Sequence, residues 1–251
     1  MEITCVIPAF ENLDLAARCL TSVAVQRDVD FEVIVTDDSA SSAVADFFAA
    51  FSGASSRLRY VKGPRSGNPV ANWNHGLDQA KGEFCVLVHH DEFLVDPLYF
   101  RRAIEAMKTS GGPAAVARTT VIGVGRRSRF ELVRGLARGM GGPAWLLPIA
   151  NWVGPTAAFV FRRGPKFDES LMAMVDVDFY RRVMRAGRLA FLDQVCVGSL
   201  GHHRAQISDG LDFPTTVARE LRALSLRTPA GVGRFEYAVQ RTWLKLARRA
   251  A

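Results

Sequence analysis

The chain has 251 residues, of which 49% are hydrophobic and 23% charged, a balance that is ordinary for a globular enzyme. Its length fits one large α/β domain, or one domain with a small annex. The formal net charge of +7 favours an anionic partner and leaves open a phosphate-bearing substrate, a nucleic acid or an acidic membrane surface.

The N-terminus and the apolar stretches predict no targeting or spanning segment. The first ten residues, MEITCVIPAF, have neither a basic region nor a long apolar run, so we expect no signal peptide. The most apolar long stretch, PAWLLPIANWVGPTAAFVF, contains three prolines and is not predicted to span a membrane. The four cysteines form no CxxC pair, and we expect buried, reduced thiols in a cytoplasmic protein.

Strand and helix patterns alternate through the first 110 residues. The predicted strands are ITCVIP, FEVIVTDDS, LRYVKG and EFCVLV. The predicted helices are DLAARCLTSVAVQ with Asp14 as N-cap, residues 46–51, Pro69–Lys81 with Gly82 as C-cap, and a segment from Asp96 to about Ser110. This alternation predicts a parallel sheet with right-handed crossovers.

The second half continues the pattern less regularly. Three further strands are predicted in AAVARTTVIGVG, TAAFVFRR and GRLAFLD. The segment DVDFYRRVMRAG predicts a helix closed by Gly187, and residues Glu236 to Ala251 predict a basic helix.

Polar residues follow three of the predicted strands. They are the segment Pro8 to Asn12, the run Asp37-Asp38-Ser39, and the cluster His89 to Glu92. The carboxyl ends of parallel strands share one edge, so we expect these groups to converge in a crevice. Asp91 in such a crevice suits Mg²⁺ or Mn²⁺ better than zinc, whose ligand spacings are missing. The alternative is that these residues only cap helices and turns.

Seven motifs in order resemble glycosyltransferase family 2. They are VIPAFEN, EVIVTDDS, NPVANWNHGLDQAKGEF, VLVHHDE, VGPTAAFVFRR, DVDFYRRV and HHRAQIS, and the resemblance covers roughly residues 2 to 210. It implies an inverting enzyme of the GT-A fold, a Rossmann-like, mostly parallel α/β sheet flanked by helices. The implied reaction moves a sugar from a nucleoside diphosphate sugar to a hydroxyl of a glycan or lipid-linked acceptor. It also implies a nucleotide-binding half at 1–112, an acceptor and catalytic half at 113–210, and a helical tail at 211–251.

The resemblance also assigns roles to individual residues. The nucleotide would be held by Pro8, Ala9, Phe10, Glu11, Asp37, Asp38, Asn74, Gly76, His89 and His90. Asp91 matches the second aspartate of the D-x-D element, which coordinates Mg²⁺ or Mn²⁺ on the diphosphate. His203 matches a histidine near that metal, and Asp176 matches the catalytic base. From the residues alone, Asp176 could instead cap a helix, with Asp178 on a different helix face.

Three positions depart from the pattern of the family. His89 replaces the first aspartate of D-x-D, Val175 replaces the glutamate before the base, and Trp73 stands where an arginine is frequent. These changes put ribose contacts and donor choice in doubt. They also motivate an alternative function, a non-catalytic or weakly active nucleotide-sugar-binding paralogue that acts with a partner.

Arginines concentrate between Arg126 and Arg138, with apolar residues interleaved. This segment and the tail predict either a solvated basic surface beside the acceptor or an element that approaches an anionic membrane carrying a lipid-linked acceptor. We therefore expect a cytoplasmic protein, peripheral at the inner face of the membrane in the second case, with no nucleic acid partner.

Overall fold

The computed structural model describes residues 1–52, 57–122, 129–200 and 212–227. Within these ranges eight strands form one mixed sheet: β1 (Ile3–Ala9), β2 (Phe31–Asp37), β3 (Leu58–Lys62), β4 (Phe84–Leu87), β5 (Glu92–Leu94), β6 (Ala114–Ile122), β7 (Phe159–Arg162) and β8 (Ala190–Leu200). The helices are α1 (Leu13–Ala24), α2 (Ala43–Ser52), α3 (Pro69–Asp78), α4 (Tyr99–Ser110), α5 (Arg129–Gly139), α6 (Val175–Met184) and α7 (Phe213–Arg227). The predicted α/β class is confirmed.

The first four strands are parallel, as the alternation of strands and helices predicts. The sheet order is β3-β2-β1-β4-β7-β6-β8-β5, so β1 lies between β2 and β4. Ala9 pairs with Asp37, and Val6 pairs with Leu87. The carboxyl ends of β1, β2 and β4 therefore open on the same edge of the sheet, where a ligand crevice is expected.

The second half of the sheet is mixed. β7 runs antiparallel to both β4 and β6, and β5 runs antiparallel to β8. The short strand β5 was not predicted, because it has only three residues and the first of them, Glu92, belongs to the polar cluster. It forms because β8 continues to Leu200 and because Gly198 leaves space for the Phe93 ring, which a Cβ at that position would approach to 2.3 Å.

Apolar side chains cover both faces of the sheet. All seven residues of β1 are buried, which is typical of a strand between two helical layers. Ile3, Cys5 and Ile7 belong to the core cluster with α1, α2 and α4, whereas Val6 faces the cluster that includes α3, α6 and α7. The two faces follow the period-two alternation of a strand.

Several element ends differ from the sequence prediction. The α1 helix is capped by Asn12, whose Oδ1 accepts a hydrogen bond from the Leu15 amide, rather than by Asp14. The α3 helix ends at Asp78. Gly82 is instead a point of close approach, because a Cβ there would lie 2.6 Å from backbone atoms of Ile3 and Thr4.

The tail was predicted only in part. The α7 helix lies within the range 211–251 that was expected to be a helical tail, although no local pattern marked its bounds, and the predicted basic helix at 236–251 lies outside the described residues. All four cysteines are free and buried, as expected. None of the helices in the described ranges has the length and apolarity that crossing a membrane requires.

Candidate active site

Glu11 ties the loop after β1 to the loop after β2. Its Oε1 accepts hydrogen bonds from the amides of Ala40 (2.7 Å) and Ser41 (3.1 Å), and its own amide donates to Ser39 Oγ (2.8 Å). Hydrogen bonds from Ser41 and from the Ala40 amide lower the pKa of the Glu11 carboxyl. Glu11 has a φ of 50°, a strained conformation for a residue with a side chain, and these contacts stabilise it. The neighbouring Phe10 ring is 60% exposed at the crevice rim.

The two aspartates after β2 have different surroundings. Asp37 is buried, and its carboxylate accepts hydrogen bonds from Ser39 and from the Tyr60 hydroxyl, the latter at 2.8 Å. Asp38 is half-buried, and its Oδ1 accepts a hydrogen bond from the Arg65 amide. Asp37 therefore shapes the loop from beneath, and Asp38 lies closer to the crevice surface.

Asn74 and Gly76 have contacts within the protein that explain both residue types. The Asn74 amide nitrogen donates to Phe167 O (3.0 Å) and Glu169 Oε1 (2.9 Å), and its Oδ1 accepts from the Phe167 amide (2.9 Å). A Cβ on Gly76 would lie 2.5 Å from Val6 Cγ1, so α3 needs glycine to approach β1. These contacts join α3 to the segment that precedes α6.

Glu92 is a buried carboxylate at the centre of the polar cluster. Its Oε2 accepts hydrogen bonds from the amides of His89 and Ala157, both at 3.0 Å, and from Thr156 Oγ1 at 3.3 Å. Burial, and then the charge of Asp91, raise its pKa well above the usual value. Glu92 therefore connects the loop after β4 to the segment before β7, a role that sequence analysis did not assign.

Two of the three departures from the family pattern are in contact. The His89 imidazole lies against the Trp73 indole with 4.6 Å between ring centroids. Burial lowers the pKa of His89 to about 4, so the imidazole is neutral at pH 7. Its buried Nε2 atom has no hydrogen-bond partner among the described residues. The third departure, Val175, is buried in the apolar cluster that includes Leu221.

Asp176 is the second residue of α6 and is half-buried. Burial, and then the negative charge of Asp91, raise its pKa to about 7. Asp178 instead forms an ion pair with Arg182, with 2.7 Å between Oδ2 and Nε. The two aspartates therefore have different surroundings, as expected for residues on different faces of one helix. The N-cap residue of α6 is Met174, which makes no side-chain capping bond. Asp176 therefore lies inside the first turn, near Asp91.

A glutamate of α7 holds the backbone that leads into α6. Glu220 is 3% exposed, and its two carboxylate oxygens accept hydrogen bonds from the amides of Met172 (2.8 Å), Ala173 (3.0 Å) and Met174 (2.9 Å). Sequence analysis did not find this residue, because no local pattern links positions 46 to 48 residues apart.

The carboxylates of the crevice suit a hard divalent cation. Burial, and then the charge of Asp91, raise the pKa of both Glu92 and Asp176, so several carboxyl groups lie close together there. Within the described ranges, no group of three or more His, Cys, Asp or Glu side chains could enclose a metal. Such crowding suits a hard divalent cation that takes few protein ligands. His203, the other expected ligand, lies outside the described residues.

Comparison with known proteins places the chain in a family. The model of glycosyl transferase family 2 matches residues 4–165, which is more than half of the chain. The chain therefore belongs to glycosyl transferase family 2. Among curated relatives, the uncharacterized protein MT1568 of Mycobacterium tuberculosis is 29% identical over 204 residues, which cover 74% of this chain and 63% of that protein.

A second relative has a named activity. The GalNAc(5)-diNAcBac-PP-undecaprenol beta-1,3-glucosyltransferase of Campylobacter jejuni is 28% identical over 95 residues, which cover 38% of this chain and 31% of that protein. The chain thus spans less than two thirds of the length of either relative.

Solved structures support the GT-A fold. Residues 1–349 of S. aureus TarS, in complex with UDP-GlcNAc, superpose with a TM-score of 0.69 at 19% identity, covering 97% of this chain and 70% of that one. The mannosyltransferase PcManGT of Pyrobaculum calidifontis, in complex with GDP-Man and Mn²⁺, gives 0.71 at 15% identity, covering 100% and 76%. The expected fold is confirmed.

Proposed function

We propose that this chain transfers a sugar from a nucleoside diphosphate sugar to a hydroxyl group, with inversion at the anomeric carbon. The observation that carries the proposal is that two carboxyl groups, Asp91 and Asp176, lie close enough at one crevice to interact electrostatically. Burial and the Asp91 charge raise the pKa of Asp176 to about 7, and Asp91 follows the strand edge where the diphosphate would bind. A base and a cation ligand are the two groups that this reaction needs.

The donor side of the site consists of the loops after β1, β2 and β4. The segment from Pro8 to Glu11, together with Asp38, would contact the base and ribose, while Asp37 holds the loop in shape. Asp91 would be a ligand of Mg²⁺ or Mn²⁺, and His203 a second one. When bound, the metal would neutralise charge on the departing nucleoside diphosphate. The PcManGT complex contains GDP-Man and Mn²⁺, which supports this assignment.

Asp176 would accept the proton of the acceptor hydroxyl as that oxygen attacks the anomeric carbon. A general base works best when its pKa lies close to the working pH, because a large fraction of it is then deprotonated and it still binds a proton well. Inversion needs the hydroxyl to enter opposite to the leaving diphosphate. Asp176, on α6, would approach the sugar from the side of the second half of the chain, whereas Asp91 follows β4 in the first half.

The acceptor is proposed to be a glycan or a lipid-linked saccharide at an anionic membrane surface. The name of the Campylobacter relative specifies an undecaprenol-linked acceptor, which supports this class. Leu132 and Leu136 of α5, and Met140 directly after its end, form an exposed apolar row spaced four residues apart. We expect this row to contact the lipid, with the protein peripheral at the cytoplasmic face.

A second candidate function is a nucleotide-sugar-binding protein with little or no transferase activity. The contact between His89 and Trp73 favours it, because a neutral pair occupies positions where the family pattern has an acid and frequently an arginine. Both candidates bind a donor, but only the transferase releases a free nucleoside diphosphate.

A donor screen with two readouts tests both candidates. Each of several nucleotide sugars is first scored for a rise in melting temperature with Mn²⁺ and with a chelator, because a ligand of the folded state alone must stabilise it. Release of nucleoside diphosphate is then measured with the stabilising donor and saccharide or lipid-linked acceptors. Metal-dependent stabilisation with release supports the transferase, and stabilisation without release under any acceptor supports the second candidate. Absence of stabilisation by every donor contradicts both.

A further inference from the structure

The Glu220 side chain is a buried acid on an otherwise apolar face of α7. Val217, Leu221 and Leu224 are buried in the same cluster as Met174, at spacings that place them on one side of the helix. Glu220 lies between them in sequence and is 3% exposed. A charged group in such surroundings is strongly unfavourable unless its hydrogen bonds are satisfied.

The bonds of Glu220 all go to one short segment of backbone. The amides of Met172, Ala173 and Met174 donate to its two oxygens at 2.8–3.0 Å. Of these donors, Met174 is the N-cap residue of α6, where amides lack partners within the helix and the helix dipole favours a negative charge. Bonds to a carboxylate are also shorter and stronger than bonds between neutral groups. Glu220 therefore fixes the entry into α6 from outside that helix.

From this arrangement we infer that Glu220 is a positioning residue for the base Asp176. The inference rests on the function proposed above. Met174 is the N-cap residue of α6 and Asp176 is the second helical residue, so the turn whose amides Glu220 binds determines where the base carboxylate lies. A displacement of a reacting group by about 1 Å can cost about a hundredfold in rate.

The contact between Glu220 and the segment before α6 lies outside the region that the family model matches. The family model ends at residue 165, whereas Asp176 and Glu220 both follow it. The helix that carries the base is thus held by a part of the chain beyond the matched region.

The test compares Glu220→Gln and Glu220→Ala with a control, all in the 251-residue chain. Gln keeps the shape but replaces one acceptor oxygen with a donor, so at least one of the three bonds is lost. The control is Glu32→Gln. Glu32 is also 3% exposed and accepts hydrogen bonds from Thr4 Oγ1 and the Lys81 amide, both at 2.8 Å. It lies near the amino end of β2, whereas the crevice is at the carboxyl ends of the strands.

Four quantities are measured for each variant: kcat, the donor KM, the affinity for the nucleoside diphosphate with Mn²⁺, and the melting temperature. We expect kcat to fall roughly tenfold to a hundredfold in the Glu220 variants, more for Ala than for Gln, with donor affinity within about twofold of wild type. The Glu32→Gln control should lose melting temperature without losing kcat. If Glu220→Ala does not fold, Glu220→Gln alone carries the comparison.

An unchanged kcat in Glu220→Gln overturns the inference. It is also overturned if Glu32→Gln loses as much kcat as Glu220→Gln when the two variants have lost the same melting temperature. Hydrogen exchange of the amides at 172–178 is measured alongside, because it does not require turnover. If the wild type proves inactive with every donor, the proposed function fails, and exchange decides the positioning role separately. Faster exchange in this segment for Glu220→Gln but not for Glu32→Gln supports that role, and equal exchange in both overturns it.

Discussion

The Trp73 indole and the His89 imidazole pack together with 4.6 Å between their centroids, although they lie on α3 and after β4. Each occupies a position where the family pattern has a different residue. Their contact indicates that the two departures are coupled, with a neutral pair in place of a charged one. The coupling can be measured.

The first prediction concerns His89→Asp, which restores the residue of the family pattern. A carboxylate there would lie against the Trp73 ring and near Asp91, so we expect a loss of about 1–3 kcal/mol in unfolding free energy at pH 8. Adding Trp73→Arg supplies a cation, and the double variant should recover about 1 kcal/mol relative to the sum of the single changes. Chemical denaturation of the four proteins gives the coupling energy. His89→Asn, combined in the same way with Trp73→Arg, is the neutral control and should show no such recovery. Additive effects in the Asp series contradict the prediction.

The second prediction is that Asp91→Ala abolishes metal-dependent nucleotide binding while the fold persists. Asp91 is the proposed metal ligand, and its charge raises the pKa of Asp176, so its removal also relieves repulsion in the metal-free protein. Calorimetric titration of a nucleoside diphosphate, with Mn²⁺ and with a chelator, measures the first effect. Equal affinity in the variant and the wild type under both conditions would rule out this role.

The third prediction is that Asp176→Asn lowers turnover by about a hundredfold or more, with donor affinity nearly intact, which is the usual scale for a lost general base. Asn keeps the size of the side chain but cannot accept the proton. The matched control is Asp178→Asn on the same helix, whose carboxylate binds Arg182. Unchanged turnover of Asp176→Asn with a verified acceptor would leave Asp176 with a structural role only.

The fourth prediction concerns stability and pH in the metal-free protein. The pKa of Asp176 is raised from 3.8 to about 7, so the folded state holds this proton more tightly than the unfolded chain does. The free energy of unfolding is therefore highest while Asp176 is protonated at low pH, and it falls as the pH rises from about 4 toward 7. Asn carries no charge, so Asp176→Asn should be more stable than wild type at pH 8, with a smaller gain at pH 5. Denaturation in the presence of a chelator measures both, and an equal gain at the two pH values would contradict the assigned cause.

The fifth prediction concerns binding to membranes. Arg134 donates to Thr119 Oγ1, and Arg138 donates to the carbonyl oxygens of Val116 and Leu192, so these two arginines are engaged inside the protein. We therefore expect binding to anionic vesicles to persist at high salt, because the apolar row of α5 inserts.

Co-sedimentation with anionic vesicles at low and high salt provides the measurement. The double change Leu132→Ser and Leu136→Ser should weaken binding roughly tenfold or more, since each leucine then loses its apolar burial. Val25→Ser is the control, because Val25 is 56% exposed after α1, on the other side of the sheet. Absence of binding at low salt would favour a soluble glycan acceptor.

Much of the fold could be predicted because its signals are local. The β-branched runs and the alternation of strand and helix predicted the parallel strands and the shared edge after Ala9, Asp37 and Leu87. The strand β5 could not be predicted, because it depends on β8 and on the space at Gly198.

The candidate site likewise contains residues that short motifs indicate and residues that only the three-dimensional contacts reveal. The roles proposed for Asp91 and Asp176 come from short motifs that resemble those of the family, and each motif can be read within a few residues of sequence. The contacts of Glu92 with Ala157, and of Glu220 with the amides before α6, join segments that are distant in sequence. A single sequence contains no local signal for such pairs, since either acid could equally have been a solvated surface residue.

The burial of the four cysteines makes the protein a convenient subject for site-specific labelling. Burial is the largest cause that raises the pKa of every one of these thiols, to about 12 for Cys85 and Cys196. Maleimides attack the thiolate, so they should leave the native side chains unmodified at neutral pH. A single cysteine introduced at Leu132, where the side chain is 69% exposed, would then carry the only dye. Its emission would follow the approach of α5 to a lipid surface without first removing any natural cysteine.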